Sequence, residues 1–305
     1  MNELERNPLI AEINRLKQDR KAIILAHYYQ RPEIQDIADF IGDSLELSRK
    51  AAATDAEVIV FCGVKFMAEN AAILSPDKKV LLPEPDAGCF LADMVTVEKL
   101  RETKDKHPDA VVVCYVNSPA AVKAESDIAC TSANATRVIE SLPADREILF
   151  IPDRNLGKYI ARCTGRDLIL WDGYCNVHDA VSAGDILRVK EENPNAMILI
   201  HPECAPEVID LADLVGSTSG IINYAGKSEA NEFIVGTERG ILHHLNKLYP
   251  EKKFILPTED LRCDDMKKID LEKLHATLDK KKNEVRISAK VREKAIQSLK
   301  RMLAV

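Results

Sequence analysis

The chain has 305 residues, of which 46% are hydrophobic and 30% charged, and its formal net charge is −7. This length allows two or three domains with a sizeable core. The negative balance argues against broad nucleic-acid binding, which requires a basic surface. It also means that an anionic ligand must be attracted by local groups rather than by the overall field.

Neither a secretory leader nor a membrane span is predicted. Residues 1–20 are polar and amphipathic, without an apolar core followed by a small-residue cleavage site. The longest apolar runs, such as residues 110–116, are too short to cross a bilayer. The sequence therefore predicts a cytoplasmic protein. In that reducing compartment its eight cysteines are expected to be thiols, metal ligands or core residues rather than disulfides.

Along the chain, short apolar runs alternate with segments of helical period, which is typical of buried parallel strands in βαβ units. A helix over Pro8–Asp19 precedes the first strand, residues 22–27, and similar strands recur at residues 111–115 and 196–201. A later strand of each copy runs into a loop, at residues 79–83, 167–171 and 253–257. The same order of elements is thus expected three times.

A hydroxyl residue recurs 17 positions beyond the end of each first strand, as Ser44, Ser132 and Thr218. An aspartate preceded by a small residue stands five positions before each of them. Each hydroxyl is expected to cap a helix start, where free N–H groups also favour a carboxylate or phosphate. Three such helix starts directed inward would attract an anionic ligand in spite of the negative net charge.

A cysteine follows the later strand of each copy, at intervals of 86 and 88 residues, as Cys89, Cys175 and Cys263. Seven positions after each cysteine stands a residue suited to cap a helix, namely Thr96, Ser182 or Asp270. A cysteine and a hydroxyl repeated in register are not typical of ordinary βα repeats. We therefore interpret the chain as a triplication.

The predicted fold class is α/β, with three units related by a pseudo-threefold axis and small parallel sheets around a central cluster site. The units are expected to span residues 1–108 with the N-terminal helix, 109–194, and 195–305. The last is predicted to end in an appended strand and a helix. The apolar stripe of that helix contains Val291, Ala295, Leu299 and Met302.

Equivalent loops of a closed threefold arrangement meet at its axis, so the three cysteines are expected to lie together. Neighbouring thiolates repel one another unless a cation holds them. Structural zinc favours cysteine pairs a few residues apart, and the sequence contains no C-x-x-C. Thiolates from distant segments suit a [4Fe–4S] cluster, in which three ligands leave one iron open as a Lewis acid.

The alternative, three small buried hydrophobes, is disfavoured because the three cysteines share one register. The other five cysteines are interpreted differently. Cys62, Cys114, Cys130 and Cys163 are predicted to be core or packing residues. Cys204 is a candidate for the lining of the site but not for a ligand.

Polar residues follow the first strand of each copy, where parallel α/β sheets bind their ligands. Imidazole, phenol, amide and carboxylate groups in such places suit proton transfer and oxyanion recognition. Desolvation is expected to raise the pKa of the carboxylate among them, Glu203. One expected layer contains His27, Tyr115 and His201, and the next contains Tyr29, Asn117 and Glu203. His178 is a further candidate contact, whereas Lys65, Arg154 and Glu238 are interpreted as solvated or bracing charges.

Several long motifs resemble those of the quinolinate synthase family over essentially the whole chain. They are ILAHYYQ-x-PEIQDIADFIGDSLEL, VVCYVNSPA, CTSANA, PDRNLG, HPEC, GST, GTERG and the Cys-x-x-His pair at Cys175 and His178. The resemblance implies an iron–sulfur enzyme of NAD biosynthesis that condenses iminoaspartate with dihydroxyacetone phosphate to quinolinate, with release of phosphate and water. It also implies a functional link to an enzyme that produces iminoaspartate.

By the same resemblance, Cys89, Cys175 and Cys263 ligate one [4Fe–4S] cluster. The residues expected to be catalytic are Glu203, Tyr29, His201 and Tyr115, with Glu203 and Tyr29 in the acid–base steps. The residues expected to bind substrate are His27, Ser44, Asn117, Ser132, His178 and Thr218.

Two other interpretations stay open from the cysteines alone. A different triplicated three-cysteine enzyme, such as a hydroxymethylbutenyl-diphosphate reductase or a diphthamide-biosynthesis protein, would share the cluster but not the HPEC and GDS motifs. A non-catalytic metal-binding or electron-transfer protein would share the cysteines but has no need for the polar layers.

Overall fold

The computed structural model describes residues 8–305, which form three parallel four-stranded sheets flanked by helices. Each sheet has the same strand order, with the first and third strands of the copy at its centre: β2-β1-β3-β4, β6-β5-β7-β8 and β10-β9-β11-β12. The strands are β1 Ala22–His27, β2 Phe40–Gly42, β3 Val58–Cys62, β4 Lys79–Leu81, β5 Val111–Tyr115, β6 Ile128–Cys130, β7 Ile148–Ile151, β8 Ile169–Leu170, β9 Met197–Ile200, β10 Leu214–Val215, β11 Glu232–Gly236 and β12 Lys253–Ile255. The predicted α/β class with three small parallel sheets is confirmed.

Helices connect the strands, as parallel crossovers require. They are α1 Pro8–Asp19, α2 Pro32–Ile37, α3 Ser44–Ala53, α4 Lys65–Leu74, α5 Phe90–Asp93, α6 Val97–Lys106, α7 Ala120–Lys123, α8 Ala135–Glu140, α9 Arg154–Thr164, α10 Ala183–Glu192, α11 Pro206–Ile209, α12 Thr218–Lys227, α13 Ile241–Leu248, α14 Leu271–Lys280 and α15 Ala289–Ala304. Three of them begin where the sequence predicts a cap, and the side chains of Thr96, Ser182 and Asp270 each accept a backbone N–H three residues on.

The repeated aspartate has a structural role at the edge of each sheet. Its carboxylate accepts the backbone N–H of the central strand at 2.8 Å in all three copies, in the pairs Asp39 with Ile24, Asp127 with Val112, and Asp213 with Ile198. The short edge strands β2, β6 and β10 begin directly after these aspartates. The carboxylate therefore ties the edge of each sheet to its centre, which explains the spacing seen in the sequence.

The C-terminal segment differs from the prediction in one respect. Glu284 makes a single antiparallel bridge with Leu81, so the appended strand was wrong. The helix α15 is present, and Ala295, Leu299 and Met302 of its stripe are fully buried while Val291 is partly exposed. This stripe packs against α4, α7 and β6, because those elements supply an apolar groove beside the first two sheets.

Most of the predicted packing cysteines lie in the core. Cys62, Cys114 and Cys130 are fully buried on β3, β5 and β6. Cys163 is exposed, so that prediction was wrong. It lies in the last turn of α9, beyond the buried face that Leu156 and Ile160 form. Within residues 8–305, no helix combines the length and apolarity that a membrane crossing needs.

Candidate active site

The carboxyl ends of the central strands and the three cysteine loops surround one cavity of about 200 Å³. Strand ends of all three sheets contribute to its wall, as the topology of parallel α/β units favours. All thirteen residues predicted for the site line this cavity: His27, Tyr29, Ser44, Cys89, Tyr115, Asn117, Ser132, Cys175, His178, His201, Glu203, Thr218 and Cys263.

The three cysteines have the same local geometry. Each cysteine precedes a short turn, and the backbone N–H of the residue three positions later points at its sulfur. The pairs are Cys89 with Ala92, Cys175 with His178 and Cys263 with Met266. Such an N–H favours a thiolate in the way that a helix start does. Burial is nevertheless the largest influence and raises the pKa of all three thiols, to about 11 for Cys263.

The donor set fits a polynuclear metal group. Because burial and mutual repulsion oppose three neighbouring thiolates, a cation is needed to keep them ionised. Among the described residues, the three potential ligands whose donor atoms all lie within 4.8 Å of one another are Cys175, His178 and Glu203. Three thiols from three separate loops around one cavity suit an iron–sulfur cluster, which thiolates of distant segments ligate.

A continuous chain of hydrogen bonds crosses the site. Glu203 Oε2 lies 2.7 Å from His178 Nδ1, and His178 Nε2 lies 2.8 Å from Thr237 Oγ1. Thr237 Oγ1 lies 2.6 Å from the Tyr29 hydroxyl, which lies 2.8 Å from Thr218 Oγ1. All five side chains are at least nine-tenths buried. These distances allow protons to pass between Glu203 and Thr218 without bulk water.

The pKa of Glu203 differs from the prediction. Burial alone would raise it, but His178, His201 and the Tyr115 hydroxyl together outweigh burial and lower it to about 2. The expected upward shift was therefore wrong, because the carboxylate has close partners that favour its charged form. An ionised Glu203 is suited to accept a proton rather than to donate one. Burial raises the pKa of Tyr29 and Tyr115, so both phenols keep their protons.

Two histidines hold matching positions at the strand ends. His27 Nδ1 accepts the backbone N–H of Tyr29 at 3.1 Å, and His201 Nδ1 accepts that of Glu203 at 3.4 Å. With Nδ1 as the acceptor, the proton of a neutral ring lies on Nε2. Burial is the largest cause that lowers the pKa of both imidazoles to about 3. They are therefore neutral N–H donors near neutral pH.

This pKa shift predicts a pH-dependent stability. Unfolded histidines titrate near pH 6.5, so between about 3 and 6.5 the unfolded chain binds more protons, and the folded state loses stability as pH falls. We expect the melting temperature of the metal-free protein to decrease below pH 6.5, and to decrease less steeply in a His27→Gln/His201→Gln double variant. Thermal scans between pH 7.5 and 4.5 measure both slopes.

The more exposed His107 provides the control for these scans, and His107→Gln should retain the wild-type slope. The same slope in the double variant as in the wild type would show that the two buried imidazoles do not contribute.

The hydroxyl residues are placed differently from the prediction. Asp43 caps α3 and Ser217 caps α12, so Ser44 and Thr218 are the first helical residues rather than the caps. Ser132 precedes α8, whose cap position is Asn134. The predicted capping role was therefore wrong. Because the neighbouring residues cap the helices, all three hydroxyl residues can line the cavity.

Other polar groups complete the wall. Asn117 donates from Nδ2 towards Glu203 at 3.5 Å, while its buried Oδ1 has no partner within residues 8–305. An unpaired buried acceptor in a cavity wall is a natural contact for a ligand. Arg262 and Lys268 also line the cavity and are exposed, and each pairs with an aspartate of the same lining, Asp264 at 3.1 Å and Asp265 at 2.6 Å.

One functional residue was missed from the sequence, and the interpretation of another is narrowed. Thr237 joins His178 to Tyr29, and it stands directly after β11, where the strand-end rule would have found it. Glu238 is fully buried, lines the cavity and pairs with Lys267 at 2.9 Å, so it is a bracing charge but not a solvated one. Lys65 and Arg154 lie outside the lining, and Arg154 pairs with acidic side chains instead.

Cys204 also lies outside the cavity lining. It is fully buried, and its sulfur donates to the Gly236 carbonyl oxygen at 3.6 Å. It is therefore a packing residue, and its suggested place in the lining of the site was wrong.

Three parallel-sheet units that surround one cavity of thiols and proton-transfer groups define a triplicated α/β enzyme. The family model described as "Quinolinate synthetase A protein" matches residues 11–304. The chain belongs to the quinolinate synthase family. This membership decides against the reductase, diphthamide and electron-transfer interpretations.

Several relatives match over almost their full length. A quinolinate synthase of Desulforudis audaxviator is 59% identical over 97% of this chain and 98% of its own. One of Methanosarcina barkeri is 54% identical over 99% of both chains. One of a Sulfurihydrogenibium species is 51% identical over 99% of this chain and 100% of its own.

Proposed function

We propose that this enzyme condenses iminoaspartate with dihydroxyacetone phosphate to quinolinate, phosphate and water. The observation that carries the proposal is the hydrogen-bonded chain from ionised Glu203 to Thr218, which lies in the same cavity as three cysteine ligands. A condensation followed by dehydrations needs several proton transfers at one place. This chain can supply them, since all five of its side chains are at least nine-tenths buried.

The cavity has the polar groups that two anionic substrates require. Thr218 opens α12, whose positive dipole end favours an anionic group, whereas at the start of α3 the Asp43 carboxylate already accepts the N–H groups of Leu45 and Glu46. Asn117 Oδ1 is available as an acceptor. Ser132 is proposed as a further contact for a substrate oxygen.

Cys89, Cys175 and Cys263 are proposed to hold one [4Fe–4S] cluster. When bound, the cluster would supply an open iron as a Lewis acid for a substrate oxygen. His178 Nδ1 lies 3.3 Å from Cys175 Sγ as well as beside Glu203, so this ring links the ligand to the proton-transfer chain.

The acid–base roles follow from the protonation states. Glu203 is proposed to accept a proton because it is the ionised group at the end of the hydrogen-bonded chain, and its pKa of about 2 makes it a weak base there. Tyr29 and Tyr115 remain protonated, so Tyr29 is proposed to pass a proton between Thr237 and Thr218, and Tyr115 to stabilise the Glu203 carboxylate. The Nε2–H groups of His27 and His201 are proposed to donate hydrogen bonds to developing oxyanions as neutral donors.

The proposal has consequences for the setting of the enzyme. Cluster thiolates need a reducing compartment, which is the cytoplasm. Iminoaspartate must come from an enzyme that produces it, so a functional link to such an enzyme is part of the proposal.

The test is anaerobic purification with iron and sulfide analysis, and a quinolinate assay with the two substrates. We expect iron and sulfide in equal amounts, turnover, and a spectroscopic shift of the cluster on addition of a substrate-like dicarboxylate. A shift requires an open iron, because a cluster with four protein ligands has no place for such a compound. A cluster-loaded protein without turnover, or without the shift at saturating ligand, would contradict the proposal.

A further inference from the structure

Residues of the third copy hold the main chain of Tyr29. Lys267 Nζ donates to the Tyr29 carbonyl oxygen, and it also lies 2.9 Å from Glu238 Oε1 and 3.0 Å from Glu238 Oε2. These three acceptors match the three N–H donors of an ammonium group. The side chains of Lys267 and Glu238 are 12% and 1% exposed, so water competes little with these contacts. The pair is therefore a buried support for Tyr29 rather than a surface ion pair.

The carbonyl groups on either side of Tyr29 have a different donor. Gln35 Nε2 lies 2.9 Å from the carbonyl oxygens of Tyr28 and Gln30. The Tyr29 carbonyl oxygen between them accepts its hydrogen bond from Lys267. The contact with Lys267 thus fixes the peptide group next to the Tyr29 side chain.

The carboxylate that pairs with Lys267 also contacts the third cysteine loop. Glu238 Oε1 accepts the backbone N–H of Cys263 at 3.1 Å, and Oε2 accepts that of Gly240 at 2.7 Å. Lys267 itself lies four residues after this cysteine. One charged pair therefore joins a candidate metal ligand to the turn that carries Tyr29.

The packing of these groups leaves no room for a side chain at Gly240. A Cβ atom on this glycine would lie 2.7 Å from Tyr29 Cα and from Glu238 Oε2, and 2.8 Å from Lys267 Nζ. These separations are shorter than real Cβ contacts, and Tyr29 Cα belongs to the main chain, so it cannot rotate away. The φ of Gly240 is −60°, which any residue adopts. The close packing, and not the backbone conformation, therefore requires glycine here.

We propose that Glu238, Gly240 and Lys267 position the tyrosine of the proton-transfer chain and join its place to that of the third cysteine loop. They act through Tyr29, whose main chain they hold, rather than on a substrate. The inference rests on the proposed function, because it gives these residues a part in the same proton transfers.

The place of the Tyr29 ring decides whether the proton-transfer chain is continuous. Its hydroxyl lies 2.6 Å from Thr237 Oγ1 and 2.8 Å from Thr218 Oγ1. Hydrogen bonds weaken steeply as their geometry departs from such values, and a misplacement of about 1 Å can cost about 10²-fold in rate. A small shift of the Tyr29 main chain is therefore expected to slow proton transfer without loss of the fold.

The first test is hydrogen exchange of the metal-free, full-length protein as wild type and as Gly240→Ala. The added Cβ must displace one of the atoms around it, which loosens the contact between Lys267 and Tyr29. Amides of residues 28–31 should lose about tenfold in protection, while those of residues 22–26 keep theirs. Unchanged protection of residues 28–31, or an equal loss over the whole chain, would overturn the inference. This comparison needs neither cluster nor substrate, so it is decided independently of the proposed function.

Gly184→Ala is the matched control for this substitution. Gly184 is exposed on α10, and its added Cβ would lie 3.6 Å from Ser182 Oγ, which is an ordinary contact. Its exchange pattern and its turnover should both equal those of the wild type.

The second test measures kinetics of the cluster-loaded enzyme, with turnover expressed per bound cluster. Gly240→Ala is expected to lower kcat about 10²-fold with KM nearly unchanged, because Tyr29 takes part in proton transfer rather than in substrate binding. A purely structural role would reduce the amount of cluster-bearing protein and leave kcat per cluster near the wild-type value. That result would overturn the positioning role. A wild-type protein without turnover would count against the proposed function, while the exchange comparison still decides whether these residues hold Tyr29.

A double variant tests the link to the cysteine loop. Lys267→Met/Glu238→Gln removes both charges together, so the fold does not have to bury an unpaired one. In the wild type, metal loading should raise the protection of residues 28–31, and in the double variant it should not. Lys247→Met is the control, because it removes a lysine that pairs between the same two copies, with Asp36 at 2.8 Å, outside the cavity lining. A metal-dependent rise that persists in the double variant would contradict the link.

Discussion

Replacement of Cys89, Cys175 or Cys263 by serine is expected to abolish the cluster, each substitution by itself. The three residues line one cavity from three different loops, and a serine hydroxyl is a poor ligand for iron in place of a thiolate. Iron content should fall close to zero, and the visible absorption of the anaerobically purified protein should be lost. Turnover should disappear with it.

Cys163 supplies the control for this experiment. It is exposed on α9 and outside the cavity lining, so Cys163→Ser should keep full iron content and wild-type absorption. Buried cysteines such as Cys114 are less suitable, because a hydroxyl in the core lowers stability by itself. A Cys89, Cys175 or Cys263 variant with a full complement of iron would remove that residue from the ligand set.

Glu203→Gln is expected to reduce turnover by roughly 10²–10⁴-fold while the cluster spectrum stays unchanged. Glutamine keeps the shape and one acceptor oxygen, which can still accept a hydrogen bond from His178, but it cannot accept a proton. The carboxylate stands at one end of the hydrogen-bonded chain and is 2% exposed, so a nearby water cannot easily replace it. Steady-state quinolinate formation and the visible spectrum measure the two expectations separately.

Glu207 is the matched control. It is an exposed glutamate on α11, four residues along the same segment, and Glu207→Gln should leave turnover unchanged. A purely structural role of Glu203 predicts a different result, namely a modest loss of rate or a damaged cluster. Near-normal turnover of Glu203→Gln with an intact cluster would mean that another group accepts the proton.

The sequence by itself determined that the unit is repeated three times and which predicted residues line the cavity. A parallel α/β unit places the residue that follows a strand at one edge of its sheet. Because Cys89, Cys175 and Cys263 follow their strands at similar distances in the sequence, they occupy equivalent places in the three units. The caps Thr96, Ser182 and Asp270 were predictable for a similar reason, because a helix cap depends on a few adjacent residues. Local rules and register are enough for such features.

Tertiary structure decided what depends on contacts between distant segments. The pKa of Glu203 is lowered because His178, on another loop, lies 2.7 Å away, and no local pattern gives that distance. Thr237 completes the proton-transfer chain with Tyr29, which is 208 positions away in the sequence. Protonation states and hydrogen-bond order are set by distance and burial around a single group, and only the packing of three sheets against one another fixes these quantities.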